Sequence, residues 1–265
     1  MSERLSILIP FQSRNPLRIR HFRWLHAYWR AQLPEAEIII GRDWASRRRI
    51  RRRPFSKSVA VNDAFKRSHG DVIAIVDADA YLDARVLTHC ADRIRCARKH
   101  DVHLWFVPYR HLYRLREGIT EEIVKSRPWN PLRLPSPPPR ADVDGFDGSG
   151  WGHPFGAMVQ VMPREAFLAV GGMDERFRGW GGEDSSFLRA LDTLWGPHKN
   201  TCDDVLHLWH PKIPSGPSTD PNSWDWKLRL WDGQTQGRAN DWLSSKYHRA
   251  TGHPEAMRRL VDGKD

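Results

Sequence analysis

Two clusters in the 265-residue sequence have residue types and spacings that could do chemistry. The first is Glu183-Asp184, adjacent carboxylates that close a stretch containing Gly171, Gly172, Gly179, Gly181 and Gly182 as well as Trp180. Glycines let backbone approach a ligand without a Cβ in the way. Beyond them Phe187, Leu188, Leu191, Leu194 and Trp195 recur at helical spacing. Both carboxylates therefore fall in a first helical turn, where the positive end of the helix dipole favours their ionised form. An ionised, positioned carboxylate beside a tryptophan is suited to deprotonating a sugar hydroxyl. The second cluster is Asp77 and Asp79, which end the apolar run from Asp71 to Ala80. A buried strand that stops in two carboxylates puts hard oxygen ligands at the carboxyl edge of a sheet, where open α/β folds hold ligands, and such ligands suit Mg²⁺ or Mn²⁺. Asp142-Val143-Asp144 has the same spacing, but no strand is predicted before it and Gly145, Gly148 and Gly150 mark it as loop, so it is set aside.

The elements that must position these clusters follow in order. Leu5–Ile9 is a compact apolar run ended by Pro10 and predicts the first strand of a largely parallel sheet. Asn15 can cap the next helix, with Pro16 at its first position and a stripe of Phe22, Leu25, His26, Trp29 and Leu33. Glu37–Gly41 predicts a second strand. Asp43 follows it as either a base- or ribose-binding residue or a turn residue. Residues 55–70 predict a helix capped by Ser56 or Ser58 and stopped by Gly70. Asp83 starts a further helix through Val86, Leu87, Cys90 and Ile94, and 102–107 predicts a strand. Prolines dominate 127–140, which forbids regular structure there. The expected organisation is 1–126 as a nucleotide-binding half, 127–156 as a Pro/Gly-rich region, and 157–265 as an acceptor half of one domain. Within the middle region 127–140 reads as an ordered excursion or a linker, and 142–156 as a loop that either closes over the donor or is disordered.

Gly-Trp-Gly-Gly-Glu-Asp (179–184) after Gly-Gly-Met-Asp-Glu-Arg-Phe (171–177) resembles the acceptor-site motif of the β-1,4-galactosyltransferases and related glycosyltransferases of the GT-A fold. Other segments are similar to that family in the right order: Pro10, Phe11 and Arg14, with Gln12 departing from the motif's first Arg; Phe55, Asn62 and Phe65; Asp77-x-Asp79; and 154–161. The resemblance implies an α/β GT-A domain, Rossmann-like, with a mostly parallel central sheet flanked by helices. It implies a UDP-sugar donor held by Pro10, Phe11, Arg14, Lys57 and Asp77, with Lys57 standing where the family has a diphosphate-binding Arg. It implies Mn²⁺ or Mg²⁺ on Asp79 with His210 and His207, and imidazole is a good partner for Mn²⁺ beside a carboxylate. Two histidines three apart point to opposite faces of a regular strand, so both can bind one ion only where the backbone turns. Asp184 is the expected general base, Glu183 and the Gly181-Gly182 backbone would position the acceptor, and Trp180 would stack on sugar. Ser185 stands where the family often has a third acidic residue.

Composition limits the partners. Forty-two Lys and Arg against 32 Asp and Glu give a formal charge of +10, which favours polyanionic partners. The arginine-rich stretch from Arg47 to Arg53 reads as a solvated loop, a funnel for nucleotide-sugar, or a clamp on an anionic acceptor such as DNA. The expected acceptor is a glycan, lipid-linked sugar or protein. The alternatives are a hydroxylated DNA base, or a non-catalytic nucleic-acid-binding module that keeps the fold. Trp224, Trp226, Trp231 and Trp242 read as packing and lid anchors, or as a stacking platform. Cys90, Cys96 and Cys202 form no Cys-x-x-Cys and read as packing residues of a reducing compartment. With no stretch of about 18 apolar residues, the expectation is a cytoplasmic protein without anchor or leader.

Overall fold

The computed structural model describes residues 3–44, 55–147, 156, 158–179, 181–211 and 236–263. Its central sheet has six strands in the order β2-β1-β3-β8-β5-β9. These are β1 (Leu5–Pro10), β2 (Glu37–Gly41), β3 (Val72–Val76), β5 (Phe106–Val107), β8 (Val159–Pro163) and β9 (Lys199–Asn200). β1 pairs in parallel with β2 and β3, β8 runs antiparallel to β3 and β5, and β9 is parallel to β5. Five strands thus share one direction and β8 alone is reversed, as expected for a mostly parallel GT-A sheet. β1, β3 and β8 are buried along their whole length, which is why they read as unbroken apolar runs rather than alternating ones.

A second sheet carries the other part of the site, in the order β4 (Ala80–Tyr81), β10 (Asp204–His207), β6 (His111–Leu115) and β7 (Val143–Asp147). β7 corrects the expectation of a loop at Asp142–Asp144: β6 offers an edge, and Val143, Gly145, Phe146 and Asp147 pair with it across a register shift. Gly145 weakens a strand without forbidding it. The strand predicted over 102–107 shrinks to Phe106–Val107, the stretch that β8 and β9 flank.

Helices α1 (Pro16–Gln32), α2 (Lys57–Lys66), α3 (Ala84–Arg98), α4 (Glu117–Lys125), α5 (Arg164–Ala169), α6 (Glu183–Leu194), α7 (Gln236–Ala250) and α8 (Pro254–Val261) surround the sheets. The expected caps form. Asn15 accepts from the Leu17 and Arg18 amides at 2.9 and 3.3 Å, Ser56 Oγ from Val59 N–H at 3.3 Å, and Asp83 from Arg85 N–H at 3.0 Å. Cys90 is buried as expected, but Cys96 and Cys202 are exposed and do not pack the core. No helix among the described residues is long and apolar enough to cross a membrane.

β1 and β2 are tied to the loop before β3 by a partly buried carboxylate. Glu37 accepts from Ser6 Oγ at 2.7 Å and from His69 N–H at 2.8 Å, and its other oxygen lies 2.9 Å from His69 Nδ1. Burial pushes its pKa up, but these donors outweigh it and bring it down from 4.5 to about 2. A depressed carboxylate stabilises the fold above its unfolded pKa and ceases to do so as pH falls through the folded one. Wild type should therefore lose stability between pH 4.5 and about 2. Glu37→Gln should be less stable near neutrality and should converge on wild type as the pH drops. Thermal melts at pH 6 and pH 2.5 of both proteins check this.

Candidate active site

The site forms at the carboxyl edge of β1 and β3. β3 ends at Val76, and the chain then turns: Asp77 N–H donates to Met158 O at 2.8 Å and Ala80 N–H to Asp77 O at 3.0 Å. Met158 holds a positive φ of 69°, a conformation that disfavours a side chain, directly against the first carboxylate of the Asp-x-Asp pair.

Asp79 meets the histidines because β10 runs antiparallel to β4, with His207 opposite Ala80. β10 ends at His207, and the next residues are pinned into a turn: Leu208 N–H donates to Asp79 O at 2.9 Å, and Trp209 N–H to Thr120 Oγ1 at 2.9 Å. The turn brings both imidazoles to one carboxylate oxygen. His210 Nε2 lies 3.4 Å and His207 Nε2 3.9 Å from Asp79 Oδ2. These three residues form the one group of metal-competent side chains found among the described residues, with ligand atoms within 4.8 Å of one another.

The chemistry of this donor set fits a divalent cation. His210 Nδ1 lies 3.1 Å from the Pro211 carbonyl. A carbonyl only accepts, so Nδ1 carries the proton and the Nε2 lone pair is left toward Asp79, the usual arrangement of a metal-binding histidine. Burial pulls the His207 pKa down, which keeps that imidazole neutral. Burial pushes the Asp79 pKa up, but the charge that the histidines carry whenever they are protonated, together with Arg18, whose Nη2 is 3.1 Å away, holds it well below the usual carboxylate range.

The acceptor motif starts with a loop that is fixed at several points. Gly179 N–H donates to Phe55 O at 3.0 Å and Ser56 Oγ to Phe177 O at 2.8 Å. Asn240 Nδ2, from α7, donates to Arg178 O at 2.8 Å. Gly182 then caps α6 with φ of +87°, and a Cβ there would lie 3.1 Å from Ser244 Cβ and 3.2 Å from the Phe177 ring. Gly182→Ala should destabilise the protein by about 1–2 kcal/mol through left-handed strain and this crowding, measurable by denaturant unfolding.

Lys57, the first residue of α2, links the two sequence clusters. Its Nζ lies 2.5 Å from Asp77 Oδ1 and 2.7 Å from Asp184 Oδ1. Glu183 turns back on its own loop, accepting from Gly181 N–H at 3.0 Å. Two carboxylates therefore touch one ammonium and Glu183 adds its charge from nearby, and the Lys57 pKa is raised because their attraction exceeds the effect of burial. Here the expectation of a readily ionised base is corrected. Burial pushes Asp184 up to about 8, with Glu183 and Asp77 adding to the rise and Lys57 opposing it. Helix-end stabilisation amounts to roughly 0.3–1 kcal/mol, which is too little to offset desolvation and two neighbouring like charges.

Of the other expected donor residues, Pro10 is buried at the end of β1, Phe11 stacks on Phe22 at 3.9 Å, and Arg14 is exposed. Asp43 is fully buried; it accepts from Ser56 N–H at 3.1 Å and lies 3.7 Å from Arg178 Nη1. Trp180, the Arg47–Arg53 stretch, Trp224, Trp226 and Trp231 lie outside the described residues. Trp242 is 60% exposed, with Lys246 Nζ 4.4 Å from its ring centroid, so it is not a core residue. Sequence reading missed Arg18 altogether, and only its place in the first turn of α1, after the β1 loop, could have drawn notice.

The chain matches the profile of glycosyl transferase family 2 over residues 37–142 and that of the N-terminal domain of galactosyltransferase over residues 142–192. The protein is a glycosyltransferase with the GT-A fold. Among solved structures it is similar to the catalytic domain of Drosophila β1,4-galactosyltransferase 7 in complex with xylobiose, at 15% identity over 83% of this chain and 77% of that one, with a TM-score of 0.40. A mutant of that enzyme in complex with manganese, UDP-Gal and xylobiose aligns at 16% identity over 79% and 72%, TM-score 0.38. A mannosyltransferase of Pyrobaculum calidifontis in complex with GDP-Man and Mn²⁺ aligns at 14% identity over 97% and 69%, TM-score 0.43. A comparison with curated proteins finds no significant match.

Proposed function

We propose that the protein transfers a sugar from a nucleotide-sugar, most simply a UDP-sugar, to an acceptor hydroxyl with inversion at the anomeric carbon and with Mn²⁺ or Mg²⁺. The observation that carries this reading is the convergence of three remote stretches: Asp79 lies against His207 and His210, while Asp77, two residues away, shares the Lys57 ammonium with Asp184. Asp79, His207 and His210 would hold the cation, which supplies charge neutralisation of the departing diphosphate. Asp184 takes the proton from the acceptor hydroxyl. That oxygen then forms its bond to the anomeric carbon on the face opposite the bond to the diphosphate, which breaks and leaves with the electron pair. Glu183 holds Gly181 and Gly182 in the conformation that presents Asp184.

The Drosophila relative binds xylobiose, and a glycan is the acceptor class we favour, with a lipid-linked sugar or a glycosylated protein as sources of the same chemistry in a cytoplasm. Incubation with a panel of nucleotide-sugars and Mn²⁺, followed by nucleotide release and mass spectrometry of added glycans, tests the reading. Release or transfer that is suppressed by a chelator supports it, and release from no donor, or release that ignores the chelator, would overturn it.

The pH dependence of kcat/KM reports the base in the free enzyme. With Asp184 raised to about 8, the activity should climb with pH through that region and not near the ordinary value for Asp. Removing the one cation that opposes the rise, in Lys57→Met, should move the climbing limb alkaline by about a unit or more. Initial rates from pH 6 to 10 check both.

A further inference from the structure

Arg18 occupies the carboxylate oxygen that the cation needs. Its Nη2 is 3.1 Å from Asp79 Oδ2, the same oxygen that His210 and His207 approach to 3.4 and 3.9 Å. A cation bonded to that oxygen sits about 2.1 Å from it, so guanidinium and cation would be like charges crowded on one atom. The two repel, so a bound cation weakens the Arg18 contact. The side chain of Arg18 is 33% exposed and its backbone is fixed in the first turn of α1, where Arg18 N–H donates to Asn15 Oδ1. It can therefore swing without unpacking the helix. A guanidinium fork matches phosphate oxygens in pairs.

We propose that Arg18 is a diphosphate-binding residue held on Asp79 until the cation displaces it, so that cation and nucleoside diphosphate bind as a coupled pair. The inference rests on the nucleotide-sugar reading above. It deepens that reading by adding a donor-binding residue and a reason for coupling. Because Arg18 loses its carboxylate when the cation arrives and gains phosphate oxygens when the diphosphate arrives, each ligand lowers the cost of binding the other, and linkage makes the effect reciprocal.

Binding of Mn²⁺ alone, followed by the electron paramagnetic resonance signal of the free ion, and binding of UDP in saturating Mn²⁺, followed by calorimetry, test this without catalysis. Arg18→Met should bind Mn²⁺ alone roughly tenfold more tightly, since a nearby like charge is gone, and should bind UDP at least about tenfold more weakly, since a charge-assisted contact is lost. Arg18→Lys, which keeps the charge without the fork, should leave Mn²⁺ binding near wild type and weaken UDP binding. Opposite movements of the two affinities in Arg18→Met support the proposal, because simple damage to the site would weaken both. Unchanged affinities, or a loss of both, would overturn it. Wild type that binds neither Mn²⁺ nor UDP would overturn the nucleotide-sugar reading and take this proposal with it.

Discussion

Asp184→Asn should lower kcat by roughly 10²- to 10⁴-fold, the range that a positioned general base contributes. The amide keeps the shape of the side chain and can still accept from Lys57, so Mn²⁺ and UDP affinities should change by no more than a few fold, on the order of 1 kcal/mol. Stability should move the other way. Burial with Glu183 and Asp77 raises the folded-state pKa of Asp184 from 3.8 to about 8. A group raised in this way favours folding while it is protonated, and its contribution is lost as pH climbs through the folded value. The neutral amide has no such loss. Asp184→Asn should thus melt close to wild type at pH 5 and above it at pH 9. A slow variant with a higher melting temperature at alkaline pH is the signature of a carboxylate placed for reaction at the expense of stability. Transfer at the wild-type rate would show that the base is another group.

Much of this site was legible in the sequence because each piece is local. Asp77 and Asp79 follow a strand that is apolar without interruption, and β3 is buried along its whole length. Glu183 and Asp184 precede a helical stripe, and α6 begins where the glycines end. The histidine pair was half legible. Their spacing excluded a regular strand with both on one ion, but the turn itself depends on contacts of Leu208 and Trp209 with Asp79 and Thr120, 129 and 89 positions away in sequence. Arg18 and the sharing of Lys57 between Asp77 and Asp184 were not legible. Arg18 meets Asp79 across 61 positions and Lys57 meets Asp184 across 127, and no period or cap encodes either. β7 was misread for a related reason: an edge strand with glycine inside it exists because β6 is there to pair with it.

Asp79→Asn should cut kcat/KM by about 10³-fold, because Lewis-acid stabilisation of the leaving group is worth several kcal/mol and each 1.4 kcal/mol is a factor of ten. The loss should have a form that separates it from the loss in Asp184→Asn. His207 and His210 remain, so the variant keeps two neutral ligands and forfeits the anionic one. Its activity should recover in part as Mn²⁺ is raised, with the midpoint of the Mn²⁺ titration displaced upward. Asp184→Asn should saturate at the wild-type Mn²⁺ concentration and stay slow. Folding should suffer little in Asp79→Asn: Arg18 loses its partner, but its side chain is one third exposed and water can solvate it, and such partly exposed pairs contribute about 1 kcal/mol or less. If the Mn²⁺ midpoint of Asp79→Asn equals that of wild type, the carboxylate is no ligand. The two imidazoles would then owe their closeness to the Leu208 turn alone.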